Sequence, residues 1–214
     1  CGMSHVGGAR VGGCREGAAR RGGGAWGGVL GGWGGASRLV TIAQIEGRVR
    51  GAGSEFVLAC DMRFAARESA IFGQPETGFG LIPGAGGIQH LARLMGRARA
   101  LEAILGAEDY AAELAERYGW INRAMPASAL GDFVASLAHR IAEFPAGGLA
   151  SVKERVDAVT LAPAADFRRD SDLFLEAARL SETQRRIAVA MKRGFQTRDA
   201  EMDLGRMVAG LAER

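Results

Sequence analysis

The pattern of apolar and polar residues predicts a strand–helix–strand order from residue 39 to residue 66. Leu39–Ile45 is a short, apolar run rich in β-branched residues, which predicts a buried strand. Residues 47–53 are rich in glycine and predict a turn, and residues 54–61 place apolar side chains at helical spacing. Met62–Ala66 predicts the next strand. Two strands separated by a helix are typical of a parallel α/β unit.

The remainder of the chain is predicted to be mostly helical. Residues 73–87 are rich in glycine and proline, and we interpret them as a loop. A short strand is predicted just before Pro126. Helices are predicted over residues 86–94, 97–105, 111–118 and 128–144, and from residue 149 onward with breaks near Pro163, Ser181 and Gly194.

Residues 1–36 differ in composition from the rest of the chain. They contain 15 of the 33 glycines and show almost no aliphatic periodicity. Such a segment buries too little apolar surface to offset the entropy of ordering it, so we predict a disordered, glycine-rich head. We interpret this head as out-of-frame or misassigned translation, with a genuine flexible linker as the alternative.

The charge of the chain argues against a nucleic-acid-binding protein. The first 37 residues hold four of the 27 Lys and Arg and one of the 24 Asp and Glu. The remaining residues therefore carry 23 basic and 23 acidic side chains and are neutral overall, without the basic surface that nucleic acids require. No apolar run is long enough to span a bilayer, and the N-terminus lacks the hydrophobic segment of a secretory signal. Three cysteines without pairing or ligand spacing favour a reducing, cytoplasmic location. We therefore expect no nucleic-acid and no membrane partner.

The glycine clusters do not match the common nucleotide-binding motifs. The stretch GAGSEF, residues 51–56, follows G-x-G-x-x-G only to its second glycine, because Phe56 occupies the third position. The stretch PGAGGIQH, residues 83–90, lacks the lysine and hydroxyl residue of a phosphate-binding loop. His5, His90 and His139 have no carboxylate or cysteine neighbours at ligand spacing, so no metal site is expected.

Two glutamates lie in glycine-rich connections that precede predicted helices. Ala52 and Gly53 lie where backbone N–H groups at a helix N-terminus can hold a developing negative charge, and Glu55 follows in the first turn. Glu76 follows Pro75 in the second connection. Connections of one parallel unit converge at the carboxyl edge of the sheet, where paired acids can act as base and acid. The alternatives are a favourable first-turn acid for Glu55 and an exposed loop glutamate for Glu76.

These stretches resemble the enoyl-CoA hydratase/isomerase family, also called the crotonase family. GAGSEF at residues 51–56 is similar to the family's GGGCEL, FGQPE at 72–76 matches its motif, and residues 80–87 follow its G-x-I-P-G-A-G-G. The resemblance runs from about Ser37 to Pro126 and continues more loosely through the C-terminal helices. It implies a repeated ββα spiral, incomplete at its N-terminus here, followed by helices. The implied domains are the head (1–36), a crotonase-like α/β core (37–126) and a helical C-terminal region (127–214).

The resemblance also implies an activity, a partner and a set of site residues. It implies addition of water to a 2-enoyl-CoA through a stabilised thioester enolate. No cofactor is implied besides the coenzyme A of the substrate. The implied assembly is a homo-oligomer, either a trimer or a dimer of trimers. Glu55 and Glu76 would be the catalytic acids. The presence of both favours a hydratase, since isomerases and other branches often keep only the second. The Ala52 N–H would stabilise the enolate and the Gly84 N–H would help to position the water. Gly51, Gly53, Gln74 and Pro75 would contact the substrate.

The sequence departs from the family pattern in its first 37 residues. The family's second enolate donor lies in an upstream loop that has no counterpart there, and the opening strand units are missing. The alternative is therefore a non-catalytic, truncated crotonase-like protein lacking half of the oxyanion hole. We also expect an unpaired sheet edge at Leu39–Ile45 and poor activity from this chain.

Overall fold

The computed structural model describes residues 2–6, 9–13 and 38–212, and its strands and helices alternate in the first half of the chain. The described strands are β1 (Gly2–Val6), β2 (Ala9–Gly13), β3 (Thr41–Ile45), β4 (Arg48–Arg50), β5 (Met62–Ala66), β6 (Ile71–Gly73), β7 (Tyr110–Ala111) and β8 (Arg123–Met125). The described α-helices are α1 (Ala52–Leu58), α2 (Gly87–Gly106), α3 (Ala112–Tyr118), α4 (Ala127–Ala142), α5 (Ala146–Thr160), α6 (Ala164–Ala178), α7 (Ser181–Lys192), α8 (Arg198–Met202) and α9 (Leu204–Ala209). Two 3-10 helices, Glu76–Phe79 and Gly210–Ala212, complete the set.

The strands form two sheets that are linked by successive ββα units. The larger sheet has the order β1-β2-β3-β5-β8, in which β3, β5 and β8 run parallel. The smaller sheet has the order β4-β6-β7, with β4 and β6 parallel. Thus β3–β4–α1 and β5–β6–α2 each contribute one strand to each sheet. This arrangement confirms the predicted α/β class and the repeated ββα unit.

The N-terminal part of the larger sheet differs from the sequence-based prediction. Strand β2 pairs antiparallel with β3, with Gly12 opposite Ile42, and β1 pairs antiparallel with β2. The prediction that the Leu39–Ile45 strand has an unpaired edge is therefore wrong, because the glycine-rich segment itself supplies the neighbouring strand. The two strands also depart from the disordered head predicted for residues 1–36. The rest of that head lies outside the described residues, and its disorder stays a prediction.

Two predicted boundaries between elements were wrong. Residues 47–53, predicted as a turn, contain strand β4, because Arg48–Arg50 pairs with the distant Ile71–Gly73. The two helices predicted over residues 86–94 and 97–105 are continuous as α2 except at Gly96, whose φ of 78° and ψ of 165° interrupt the helix. A third boundary is confirmed, because helix α3 is followed by Gly119 in the left-handed conformation that glycine adopts readily after a helix.

Apolar residues from both sheets and the surrounding helices form the main core. Trp120 and Phe72 are fully buried there, and their ring centroids lie 5.9 Å apart. Below the larger sheet, Phe64 of β5 packs edge-on against Phe133 of α4 at 5.0 Å. A separate cluster joins the 3-10 helix Glu76–Phe79 to α9 and the end of the chain. No helix in the described ranges is long and apolar enough to cross a membrane.

Helix α5 is fixed to the larger sheet by a buried ion pair. The Lys153 Nζ lies 2.7 and 2.8 Å from the two carboxylate oxygens of Asp61, and it also donates to the Leu39 carbonyl at 2.9 Å. Lys153 is 8% and Asp61 19% exposed at the side chain. The outer face of the same helix carries three exposed valines, Val152, Val156 and Val159, at 65%, 51% and 76% exposure.

Candidate active site

The candidate site lies where β4 and β6 end side by side. Both strands run in the same direction, with Arg50 opposite Gly73, so the connections that follow them start at one edge of the smaller sheet. The Gly51 N–H donates to the Gly73 carbonyl at 3.1 Å, which continues the pairing into the first connection. The convergence of the two glycine-rich connections that we predicted from the sequence therefore follows from the pairing of two neighbouring parallel strands.

Gly51 forms the turn between β4 and α1. Its φ of 53° lies in the left-handed region that favours glycine, and a Cβ built on it would lie 2.9 Å from the Glu76 Oε1. The turn has no side-chain cap, so the first N–H groups of α1 are not held by a capping residue. Ala52, the first residue of the helix, is exposed, and a Cβ on Gly53 would meet no described atom within 4 Å. The first N–H groups of α1 are therefore uncapped, and Ala52 beside them is exposed.

Glu55 is buried and accepts hydrogen bonds from the start of α2. Its side chain is 3% exposed, and its Oε1 accepts from the Ala85 N–H at 2.7 Å and from the Gly87 N–H at 2.9 Å. Burial raises the pKa of the Glu55 carboxyl, while these two backbone donors act in the opposite direction and favour the carboxylate. Glu55 thus lies in the first turn of α1, as predicted, and its carboxylate also accepts from two amides at the start of α2.

Glu76 is also buried, which contradicts its interpretation as an exposed loop residue. It begins the 3-10 helix that follows Pro75, and it is 8% exposed. Burial raises the pKa of the Glu76 carboxyl to about 8, and the neighbouring charge of Glu55 acts in the same direction. A carboxyl with this pKa holds its proton at neutral pH, so Glu76 can donate a proton that an ordinary glutamate has already lost.

Gln74 lies between the two acids. Its Nε2 donates to the Glu76 Oε2 at 3.2 Å, and its Oε1 is buried without a protein partner among the described residues. A Cβ built on Gly87 would lie 2.9 Å from the Gln74 Nε2 and 3.2 Å from the Glu55 Oε1. Gln74 and Glu55 therefore approach the same glycine, and the two carboxyl groups belong to one buried cluster.

Gly84 lies in the loop before α2 and is packed against α6. A Cβ built on Gly84 would lie 2.6 Å from the Phe174 Cβ, so a larger residue does not fit without movement of the helix. Ser171 of α6 donates from its Oγ to the Gly84 carbonyl at 2.6 Å. A Cβ built on Gly86 would lie 2.9 Å from the Phe167 Cε1. The sequence analysis did not include these α6 residues, although their spacing of three and four places them on one helix face.

Arg50, which the sequence analysis also did not include, fixes the strand that enters the Gly51 turn. Its guanidinium makes two hydrogen bonds to the Asp109 carboxylate, at 2.6 and 2.5 Å. It also donates to the Glu201 carbonyl at 2.6 Å. The Arg50 side chain is 6% exposed, whereas the side chains of Asp109 and Glu201 are 34% and 40% exposed, so this network joins a buried cation to partners at the surface. No local sequence pattern indicates this network, because the partners of Arg50 are 59 and 151 residues away.

The eight predicted site residues therefore lie in the two connections and the loop before α2. Gly51, Ala52, Gly53 and Glu55 form the first connection, and Gln74, Pro75 and Glu76 form the second. A cavity of about 570 Å³ lies on the far side of the 3-10 helix, between Thr77, Gly106 and Arg206, and none of the eight residues lines it. We place the candidate site at the paired glutamates, because that is where the chemistry of the side chains converges. Within the described ranges, no group of three His, Cys, Asp or Glu could hold a metal ion.

The repeated ββα unit thus places two buried acids on neighbouring connections, beside the uncapped N-terminus of α1. Residues 15–197 match the model of the enoyl-CoA hydratase/isomerase family, and the chain belongs to this family. The match covers most of the described residues and both glutamate-bearing connections.

Several relatives are similar to this chain. The probable enoyl-CoA hydratase echA8 of Mycobacterium bovis is 39% identical over 127 residues, which is 58% of this chain and 49% of that protein. The short-chain-enoyl-CoA hydratase of Clostridioides difficile is 36% identical over 137 residues, covering 64% of this chain and 85% of that one. The chain spans about half the length of most of the curated relatives it matches.

Solved structures support the same fold. A crystal structure from Streptomyces avermitilis, provisionally named an enoyl-CoA hydratase, superposes with a TM-score of 0.84 at 50% identity, covering 86% of this chain and 66% of that one. An enoyl-CoA hydratase from Mycobacterium avium subsp. paratuberculosis gives a TM-score of 0.67 at 26% identity, covering 71% and 62%. The predicted crotonase-like fold is thereby confirmed.

Proposed function

We propose that this protein adds water across the double bond of a 2-enoyl-CoA, with Glu55 and Glu76 as the two catalytic acids. The observation that carries the proposal is the pair of buried carboxyl groups on neighbouring connections beside the uncapped N-terminus of α1. Both acids are present, whereas family branches that only move a double bond often keep one. No further cofactor is proposed, because the coenzyme A is part of the substrate.

The two acids are assigned different roles in the proposed reaction. The Glu55 carboxylate, which the Ala85 and Gly87 amides favour, takes a proton from a water molecule whose oxygen bonds to C3. The C2–C3 π electrons move toward the thioester carbonyl, and the Ala52 N–H stabilises the resulting enolate oxygen. The enolate then collapses as C2 takes the proton of Glu76. The products are a 3-hydroxyacyl-CoA, protonated Glu55 and ionised Glu76, and proton exchange restores the resting forms.

The proposed roles predict how activity depends on pH. Glu76 must be protonated, and its pKa of about 8 means that activity falls as the pH rises past this value. Glu55 must be ionised, so activity also falls at acidic pH. Because the pKa of the Glu55 carboxyl is raised, this fall begins at a higher pH than for an ordinary glutamate. In this proposal, Gly51, Gly53, Gln74 and Pro75 line the thioester, and the Gly84 N–H helps to position the water.

The test compares Glu55→Gln and Glu76→Gln in a hydration assay with 2-butenoyl-CoA, followed by loss of absorbance of the conjugated thioester. Each variant should lose about 10²–10⁴-fold in kcat. Glu154→Gln, on the exposed face of α5, is the matched control and should keep the wild-type rate. Near-normal turnover by both site variants would refute the two-glutamate assignment. Binding of butanoyl-CoA by the wild type without any turnover would instead support the non-catalytic alternative.

We also infer a homo-oligomer, either a trimer or a dimer of trimers. The exposed valines of α5, Val152, Val156 and Val159, form an apolar strip that a second copy could cover. Sedimentation of the wild type and of a Val156→Lys variant tests this inference. An oligomer should dissociate on substitution, and a monomeric wild type would refute it.

A further inference from the structure

We infer that Ser171 of α6 is a positioning residue, which acts on Glu55 through the loop that joins the two. The inference rests on the proposed function, because it concerns the base of that reaction. It goes beyond that proposal by assigning a role to a helix that carries none of the predicted site residues.

The loop holds Glu55 through its backbone. Ala85 and Gly87 both donate to the same oxygen, Glu55 Oε1, at 2.7 and 2.9 Å. Two converging donors fix the carboxylate only if the peptide units between them are themselves fixed. The loop includes Gly86, whose φ of 111° is available to few residues other than glycine. A loop with three glycines has little intrinsic rigidity, so its shape must come from its neighbours.

Helix α6 supplies these neighbours from one face. Ser171 donates to the Gly84 carbonyl at 2.6 Å, a shorter distance than the 3.1 Å to the Phe167 carbonyl in its own helix. Phe174 lies against Gly84 and Phe167 against Gly86, each close enough to exclude a Cβ on the glycine. The hydroxyl therefore anchors the peptide unit that carries the Ala85 N–H, one of the two amides that hold Glu55, and the two rings restrict its movement.

A second residue on this face acts on Glu55 by charge. Asp170 is 7% exposed and accepts from the Gln89 Nε2 at 3.0 Å. The charged groups facing Glu55 are Glu76 from the second connection and Asp170 from α6, and the charge of Asp170 raises the pKa of the Glu55 carboxyl. The loop amides lower the same pKa. Ser171 and Asp170 are neighbours on α6, yet they act on the Glu55 pKa in opposite directions.

The test uses Ser171→Ala, Ser171→Thr and Asp170→Asn, with Ser151→Ala on the exposed face of α5 as the matched control. Glutamate labelled with ¹³C at Cδ reports the Glu55 pKa directly by NMR titration, and Glu55→Gln assigns its signal. This readout does not depend on turnover. Hydration of 2-butenoyl-CoA is measured in parallel.

Loss of the Ser171 hydroxyl should raise the Glu55 pKa and lower kcat by about 3–10-fold, the loss expected for one hydrogen bond, with little change in KM. Ser171→Thr should restore both values, Asp170→Asn should lower the Glu55 pKa, and Ser151→Ala should change neither. An unchanged Glu55 pKa in Ser171→Ala, or shifts of the same sign in Ser171→Ala and Asp170→Asn, would overturn the inference. If the wild type shows no hydration while the NMR shifts appear as expected, the proposed function fails and the positioning role stands.

Discussion

Replacing Glu76 by glutamine should change how the stability of the protein depends on pH. The native state holds a proton on Glu76 up to about pH 8, whereas an unfolded chain loses it near the ordinary value of 4.5. Between these values the native state binds more protons than the unfolded state, so the free energy of unfolding falls as the pH rises. Glutamine is uncharged and of similar shape, and it therefore removes this dependence without opening a cavity.

The raised pKa sets the size of the effect. A rise from 4.5 to about 8 corresponds to about 5 kcal/mol between the two protonation states. This penalty is absent below pH 4.5, grows with pH and is complete above pH 8. Part of it belongs to the charge of Glu55, whose own carboxyl has a raised pKa in the same buried cluster. We therefore expect Glu76→Gln to gain several kcal/mol relative to the wild type between pH 5 and pH 9.

The assay is urea unfolding followed by circular dichroism at intervals across this range, with Glu154→Gln as the exposed control. The difference between Glu76→Gln and the wild type should widen toward high pH, while the control difference stays flat. A difference between Glu76→Gln and the wild type that is the same at pH 5 and pH 9 would show that Glu76 ionises normally in the native protein. The role of Glu76 as a proton donor at neutral pH would then be wrong.

Two further predictions concern the packing of the 3-10 helix Glu76–Phe79 and the ion pair that fixes α5. Gly78→Ala should destabilise the protein by about 1–3 kcal/mol in urea unfolding, because the new Cβ would overlap the Val208 Cγ1. Gly131→Ala in α4 has open space around the new Cβ, so it should stabilise the protein by up to about 1 kcal/mol. Equal effects of these two alanines would contradict the described contact. Lys153→Met should cost about 3–5 kcal/mol, because it leaves the partly buried Asp61 carboxylate without its cation. The double variant Lys153→Met with Asp61→Asn should lose less free energy of unfolding than Lys153→Met alone. An equal or larger loss would show that the broken ion pair does not cause the destabilisation of Lys153→Met.

The sequence was informative where the signal was local. Strand β5 was predicted with its observed bounds, and the glycine-rich connections that carry Glu55 and Glu76 were predicted to meet, because neighbouring parallel strands end at one edge. Strand β4 was missed, since three residues between glycines show no periodicity and pair only with a distant segment. The burial of Glu76 was not predictable either. A glutamate after proline in a glycine-rich loop looks exposed, and its approach to the Gly51 turn depends on the pairing of β4 with β6.

The helices that cover the loop come late in the chain, and this order affects how the protein is made. Ser171, Thr183 and Arg186 hydrogen-bond to the carbonyls of Gly84, Gly80 and Gly78, across 87, 103 and 108 residues. On the ribosome, both sheets can therefore pair while the loop still lacks its supports. The segment from Gly78 to Gly84 gains these hydrogen bonds only when α6 and α7 dock. Synthesis thus completes the loop that holds Glu55 only after most of the chain has left the ribosome.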